Sequence, residues 1–244
     1  MTGMPILWFD EIDSTNAQAR RQAKTGETGP LWLCARTQTA GVGRRGRSWT
    51  SEPGNLFATL LTSTDRPAAE AAQLSFVAAL AVCDFARAYL PPELVRVKWP
   101  NDVMIGDDKA CGILVESGRW ADGGLWLAIG IGVNLAHAPK NTERPATAFA
   151  RHMVIPPTPE QAMDGLAAAF DDWWGVWEQG GFALIADAWT ARAYRLGEPC
   201  IARLALETVS GVAEGLDADG SLRLRLPDGS TRRITAGDVF FGDI

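Results

Sequence analysis

The chain has four cysteines and two histidines in 244 residues, and neither type clusters. Cys34, Cys83, Cys111 and Cys200 form no CxxC pair, which argues against a disulfide framework or a zinc knuckle and favours buried free thiols. His137 and His152 fit no catalytic pattern. No apolar run approaches the roughly 20 residues of a bilayer span. The opening MTGMPILWFDE lacks the basic-then-apolar plan of a secretory signal, so a cytoplasmic protein without membrane association is expected. Positive charge is also scarce: Lys and Arg number 23 against 29 Asp and Glu, giving a formal net charge of -6 and a pI near 5.0. A protein with a broad nucleic-acid face would be basic, so any anion site here must be local. There is no G-x-x-x-x-G-K-[ST] phosphate loop.

What is present is a hydrophobic content of 47%, enough to bury the core of one large or two small domains. Strands are expected at 6–12, 31–36, 55–61, 94–97, 103–105, 111–116 and 125–133, with turns at 106–108 and 121–124. Ser14 or Thr15 is placed to cap a helix that runs to Thr25. The alanine-rich stretch 67–89 carries Leu74, Val77, Leu80, Ala81 and Phe85 at helical spacing and predicts one buried helix. From 136 to 159 the chain is rich in Pro, Ala and Thr without periodicity, which predicts a long surface connection and poor ground for function. Thr158 and Pro159 then start a helix whose apolar stripe is Leu166, Phe170, Trp173 and Trp177. After 196 the alternation of Leu222, Leu224 and Leu226 with Arg223 and Arg225 reads as a small antiparallel β-barrel. The expected class is α+β, a mixed sheet with packed helices over 1–196 and a barrel over 197–244.

Gly41, Gly43 and Gly46 satisfy G-x-G-x-x-G after a strand, yet 48–55 contains Pro53 and Gly54 and leads to another strand. The helix that a dinucleotide fold needs to meet the pyrophosphate is missing. Arg44, Arg45 and Arg47 instead offer guanidinium forks for phosphate, unless the loop is only a solvated basic loop or an Arg-Gly patch for RNA. Concentrating arginine and glycine in one loop of an acidic protein favours a single small anion. Trp49 follows, either as core or as a base-stacking ring. Lys109 stands between KWPND (98–102) and the apolar run ACGILVE (110–116). Alone it is a hairpin lysine neutralising Asp107 and Asp108. Beside KWPND and the arginine loop it is a fixed cation suited to a reactive phosphate ester.

With these segments, DSTN (13–16) and GIGVN (130–134), the sequence resembles the biotin protein ligases, over most of 6–135 and in the family's order. The resemblance implies a class II synthetase-like catalytic domain followed by an SH3-like barrel. It implies ATP, biotin and Mg²⁺, with formation of biotinyl-5′-AMP and transfer of biotin to a lysine of a biotin carboxyl carrier protein of a biotin-dependent carboxylase. By resemblance Lys109 and Arg44 are catalytic, and biotin is held by Ser14, Thr15, Asn16, Gln38, Val42, Gly43, Arg44, Lys109 and Gly112. ATP falls to Arg45, Arg47, Trp49, Lys98, Asn101, Asp102 and Asn134, with Asp102 also facing the metal. As plain helix caps, Ser14 and Thr15 are equally economical, and Asn134 has the bland reading of a turn former. Val42 departs from the family, which usually has an arginine there. The alternatives are a lipoate or octanoate ligase or transferase of related fold, a biotin-sensing repressor, and a noncatalytic biotin binder. DSTN begins at Asp13, which is expected to leave no room for a DNA-binding domain, and no DNA partner is expected. The oligomeric state stays open, a homodimer included.

Overall fold

In the computed structural model, which describes residues 3–120, 123–140 and 142–242, the first apolar run forms β1 (Ile6–Ile12). It pairs parallel with β2 (Leu31–Gln38) across α1 (Thr15–Lys24). β3 (Leu56–Thr64) returns antiparallel beside β2. The expected single helix at 67–89 is two: α2 (Ala68–Ala71) and α3 (Leu74–Arg87), with the break at 72–73. Together Ala68–Arg87 is long and apolar enough to cross a membrane by length and composition, contrary to the reading that no such run exists, but most of it is buried as a core helix. Two hairpins follow, β4 (Val95–Lys98) with β5 (Asp102–Ile105), and β6 (Asp108–Arg119) with β7 (Leu125–Val133). The turn expected at 121–124 includes residues 121 and 122, which lie outside the described residues. The sheet order β1-β2-β3-β7-β6-β5-β4 makes β3, β7 and β6 central.

Strand alternation then sorts the two faces. Leu56, Ala58 and Leu60 of β3 and Leu127, Ile129, Ile131 and Val133 of β7 join the main core under α3 and α4 (Pro159–Gly180). Leu61 and Ala128 pack on the other face with Ala19 and Ala23 of α1. Thr158 caps α4 with Gln161 in a reciprocal capping box, and Pro159 is at the first helical position, as expected. The buried stripe of α4 is Met163, Leu166, Phe170, Trp174 and Trp177. Trp173, expected in that stripe, is turned one position away, and its indole donates to Asp84 Oδ2 at 2.8 Å. α5 (Phe182–Ala191) was not anticipated.

The C-terminal strands β8 (Pro199–Arg203), β9 (Thr208–Leu216), β10 (Leu222–Arg225), β11 (Thr231–Ile234) and β12 (Asp238–Phe241) make an antiparallel sheet in the order β11-β10-β9-β8-β12. Its apolar side, with Cys200, Ala202, Leu222, Leu224 and Val239, belongs to the same core cluster as the large sheet. Trp99 of the KWPND turn is buried and donates its indole N–H to the Gly220 carbonyl at 3.0 Å.

Candidate active site

Lys109 owes its orientation to a β-bulge. Between β5 and β6 the register shifts, Val103 pairing with Cys111 but Met104 with Lys109, so Ala110 is the extra residue. Strict alternation from the core-facing Cys111 would turn Lys109 into the core; the bulge returns it to the face of Gly112. There its ammonium lies 2.7 Å from Oδ1 of the buried Asp102. Asp107 and Asp108 are not its partners: Asp107 instead accepts from Tyr194 at 2.7 Å.

One pocket collects nearly every residue singled out from the sequence. Its floor is the β6–β7 face, where Gly112 and Gly132 pair in register. Trp49 lies directly on that floor: a Cβ on Gly132 would stand 2.6 Å from the indole, and one on Gly112 2.8 Å from the indole and 3.1 Å from Lys109 Nζ. The resemblance implied a ligand against Gly112, and in this structure the ring occupies that space. Its indole nitrogen is buried without a hydrogen-bond partner, and Lys109 Nζ sits 5.4 Å from the ring centroid.

At one end of the pocket, the start of α1 supplies a polar wall. Ser14 caps the helix by accepting from Ala17 N–H, and it also lines the pocket. Gln38 Oε1 accepts from Thr15 N–H at 2.9 Å and from the Thr15 hydroxyl at 3.2 Å, and Gln38 donates to Ser51 Oγ at 3.0 Å. Asn16 donates to Glu116 Oε2 at 2.8 Å and accepts from the Thr59 hydroxyl at 2.7 Å. These are locked rotamers, and a locked wall loses little entropy when a ureido-like or amide-like ligand arrives.

The other end is cationic. The loop 41–49 folds back on itself through Gly43 N–H to Arg47 O (2.7 Å) and Trp49 N–H to Gly41 O (2.8 Å), with a 3-10 turn at Arg44–Gly46 and no α-helix. That bears out the exclusion of a dinucleotide fold. Arg45 has a φ of 57° at its tip. The arginines converge on Asp238 of the barrel: Arg47 bonds Oδ2, Arg45 approaches it at 3.4 Å, and Arg44 lies 3.8 Å from Oδ1. Arg44 also donates to Asn101 Oδ1 at 3.1 Å and to the Gly237 carbonyl at 3.2 Å. Burial alone would raise the Asp238 pKa, but the Arg47 bond and the charges of Arg144, Arg47 and Arg44 outweigh it and the net direction is down. Burial lowers the pKa of Arg44, with Asp238 and Asp102 opposing.

Ser14, Thr15, Asn16, Gln38, Val42, Gly43, Arg44, Arg47, Trp49, Asn101, Asp102, Lys109, Gly112 and Asn134 all line this pocket. Arg45 and Lys98 lie outside the lining. Lys98 is buried beneath the barrel, 5.6 Å from the Tyr194 ring and 5.7 Å from Phe241, because the β4 end points into the junction with β12.

The segment after β7 corrects an expectation. Far from being poor ground for function, it is a strap along the pocket that places Pro139, Thr142, Glu143, Arg144 and Ala146 in its wall. Asn55, at the head of β3, accepts from the N–H groups of Leu135, Ala136 and His137 at 2.9–3.0 Å. Lys109 N–H donates to Pro145 O, Thr147 N–H donates to Lys109 O, and the Asn134 amide donates to Thr147 O at 3.0 Å. Arg144 reaches between Asp102 and Asp238 at 3.5 and 3.8 Å. Periodicity carries no signal for such a strap, since its order comes from backbone bonds to a distant strand.

Asp102, expected to face Mg²⁺, is paired with Lys109 and Arg144. Among the described residues no group of three or more His, Cys, Asp or Glu could hold a metal ion. The described residues therefore form no all-protein cage for a metal.

Comparison with known proteins bears on the family and the fold. Residues 8–135 match the biotin/lipoate A/B protein ligase family, and residues 196–242 match the biotin protein ligase C terminal domain. The biotin--[acetyl-CoA-carboxylase] ligase of Paracoccus denitrificans is 44% identical over 236 residues, covering 94% of this chain and 98% of that protein. The enzyme of the same name from Mycobacterium tuberculosis is 31% identical, over 94% and 86%. The structure of biotin protein ligase from Aquifex aeolicus in complex with biotin and ATP superposes with a TM-score of 0.83 at 23% identity, covering 98% and 99%.

Proposed function

The chain belongs to the biotin/lipoate A/B protein ligase family, and from that premise we propose that it is a biotin protein ligase acting in the cytosol. It activates biotin with MgATP and transfers it to a lysine of a carboxylase's biotin carboxyl carrier domain. The observation that carries this reading is one continuous pocket with a fixed hydrogen-bonding wall at the start of α1, a glycine floor, and cations at the opposite end. The wall suits the ureido ring of biotin, the floor its thioether ring and apolar tail, and the cations a carboxylate and phosphates.

The chemistry follows from that layout. The biotin carboxylate attacks the α-phosphorus, and pyrophosphate leaves with the P–O electrons, giving biotinyl-5′-adenylate. Negative charge grows on the phosphoryl oxygens in this step. Lys109, held by Asp102 at the sheet face, supplies a fixed cation there, so its contact is stronger in the transition state than in the ground state. In the second step the neutral amine of the acceptor lysine attacks the acyl carbon, an amide bond forms, and AMP departs. Trp49 has to leave the floor for the ligand to lie against Gly112 and Gly132, and its indole is then placed to stack on the adenine. A Mg²⁺ would be held chiefly by the phosphates of MgATP, whose charge it would help neutralise.

The lipoate reading is less well supported, since the C-terminal match is to the biotin enzymes and the relative at 44% identity is one of them. Incubation with biotin, MgATP and a purified carrier domain tests the proposal: mass spectrometry should find one biotinyl group on one carrier lysine. A carrier modified only when lipoate or octanoate replaces biotin would favour the other reading.

A further inference from the structure

Five cations, Lys109, Arg44, Arg45, Arg47 and Arg144, converge on two buried carboxylates, Asp102 and Asp238. Four of them, Arg44, Arg47, Lys109 and Arg144, line the pocket of an acidic protein together with Asp102, Asp238 and Glu143, and Arg45 lies outside the lining. Arg144 is the member whose hydrogen bonding is least satisfied. Its side chain is only 16% exposed, and its Nη atoms stand 3.5 Å from Asp102 Oδ2 and 3.8 Å from Asp238 Oδ1. Those are charge contacts, too long for good hydrogen bonds. Its Nε and Nη2 are buried with no hydrogen-bond partner. A guanidinium carries five donors in a planar fork, and leaving them unpaired in a buried place is costly unless an acceptor arrives.

The position of Arg144 says which acceptor fits. It shares Asp102 with Lys109 and Asp238 with the arginine loop, so it lies between the two groups of cations. Its guanidinium carbon lies over the Phe240 ring, 4.3 Å from the centroid, a cation–π contact that helps hold the group in place. The strap that carries it is bonded to the backbone of Lys109 on both sides. A polyphosphate whose α-phosphate meets Lys109 and whose distal phosphates approach the loop passes between these groups.

We propose that Arg144 is a phosphate-binding residue of the nucleotide site, kept in place by Asp102 and Asp238 until a polyphosphate takes over its donors. This rests on the reading of the pocket as a biotin and ATP site. Its weak grip on both carboxylates makes the exchange of partners cheap, and the strap passes the contact directly to the strand that holds Lys109.

The test is a split between two Michaelis constants in biotin-dependent exchange of labelled pyrophosphate into ATP. Arg144→Ala should raise KM for ATP about tenfold to hundredfold, the loss of one charge-assisted contact. KM for biotin should stay within about twofold. Arg144→Lys should recover part of the loss, since a point charge replaces the fork. An unchanged KM for ATP, or an equal rise in both constants as expected of a purely structural cation, would overturn the proposal. Should the alanine variant fail to fold, Arg144→Lys decides, with a rise confined to ATP expected and parental constants overturning the assignment. Calorimetric titration with inorganic pyrophosphate needs no biotin chemistry and separates the two levels of inference. Weaker binding by the Arg144 variants is expected even if the parent fails to exchange, and equal binding removes Arg144 from the phosphate site.

Discussion

Lys98 and Lys109 show how little a residue's neighbours in sequence determine its role. Both flank the same KWPND turn and both read as phosphate-facing cations. The bulge at Ala110 puts Lys109 in the pocket, whereas Lys98 is buried against Tyr194 and Phe241. Burial, helped by the nearby charge of Arg144 and opposed by Asp102, lowers the Lys98 pKa from 10.5 to about 8. Because the folded value lies below the unfolded one, the unfolded chain binds more protons between pH 8 and 10.5, so this lysine makes stability rise with pH across that window. Lys98→Met should abolish that rise and, at pH 7, stabilise the fold by on the order of 1 kcal/mol, the desolvation relief outweighing the lost cation–π contacts. Thermal melts of parent and variant from pH 6.5 to 10 check this. Parallel curves would mean the ammonium is better solvated than its surroundings imply.

At the scale of elements, strands and capped helices were legible because their signals are local. The apolar runs of β3 and β7, the Ser14 cap and the Thr158-Pro159 start all appear where expected. What alternation could not show is the bulge, since one extra residue reverses the facing of everything before it. The glycines of the β6–β7 floor were only partly read: Gly112 came from resemblance, while Gly132 acquires its meaning from Trp49 lying over it. Neither has a left-handed backbone, so the requirement is for space. Gly132→Ala should leave the strand intact yet drive a methyl group into the indole and ligand volume. Overpacking of about 1–3 kcal/mol corresponds to a roughly fivefold to hundredfold loss of biotin affinity. Calorimetry on a variant with parental circular dichroism tests it, and unaltered affinity would mean the ligand does not lie on this floor.

Across the whole molecule, the least legible feature is the joint between barrel and catalytic sheet, because it consists of pairs nearly 200 positions apart in sequence, such as Arg47 with Asp238. The sequence divides near 196 into a catalytic domain and a barrel. In the structure the apolar side of the barrel shares one core cluster with the large sheet, and the arginines of the loop end on a barrel carboxylate. Asp238→Asn should therefore unfasten the loop without removing bulk. KM for ATP should change severalfold while biotin binding persists, and kinetics identical to the parent would make that ion cluster incidental. The central claim is that Lys109 and the cationic end of the pocket activate biotin as an adenylate. Biotin-dependent exchange of labelled pyrophosphate into ATP, by the parent and by Lys109→Ala, tests it most directly. The account predicts exchange that requires biotin and falls at least about a hundredfold in the variant with its circular dichroism unchanged. Exchange without biotin, or a variant within about threefold of the parent, would contradict it.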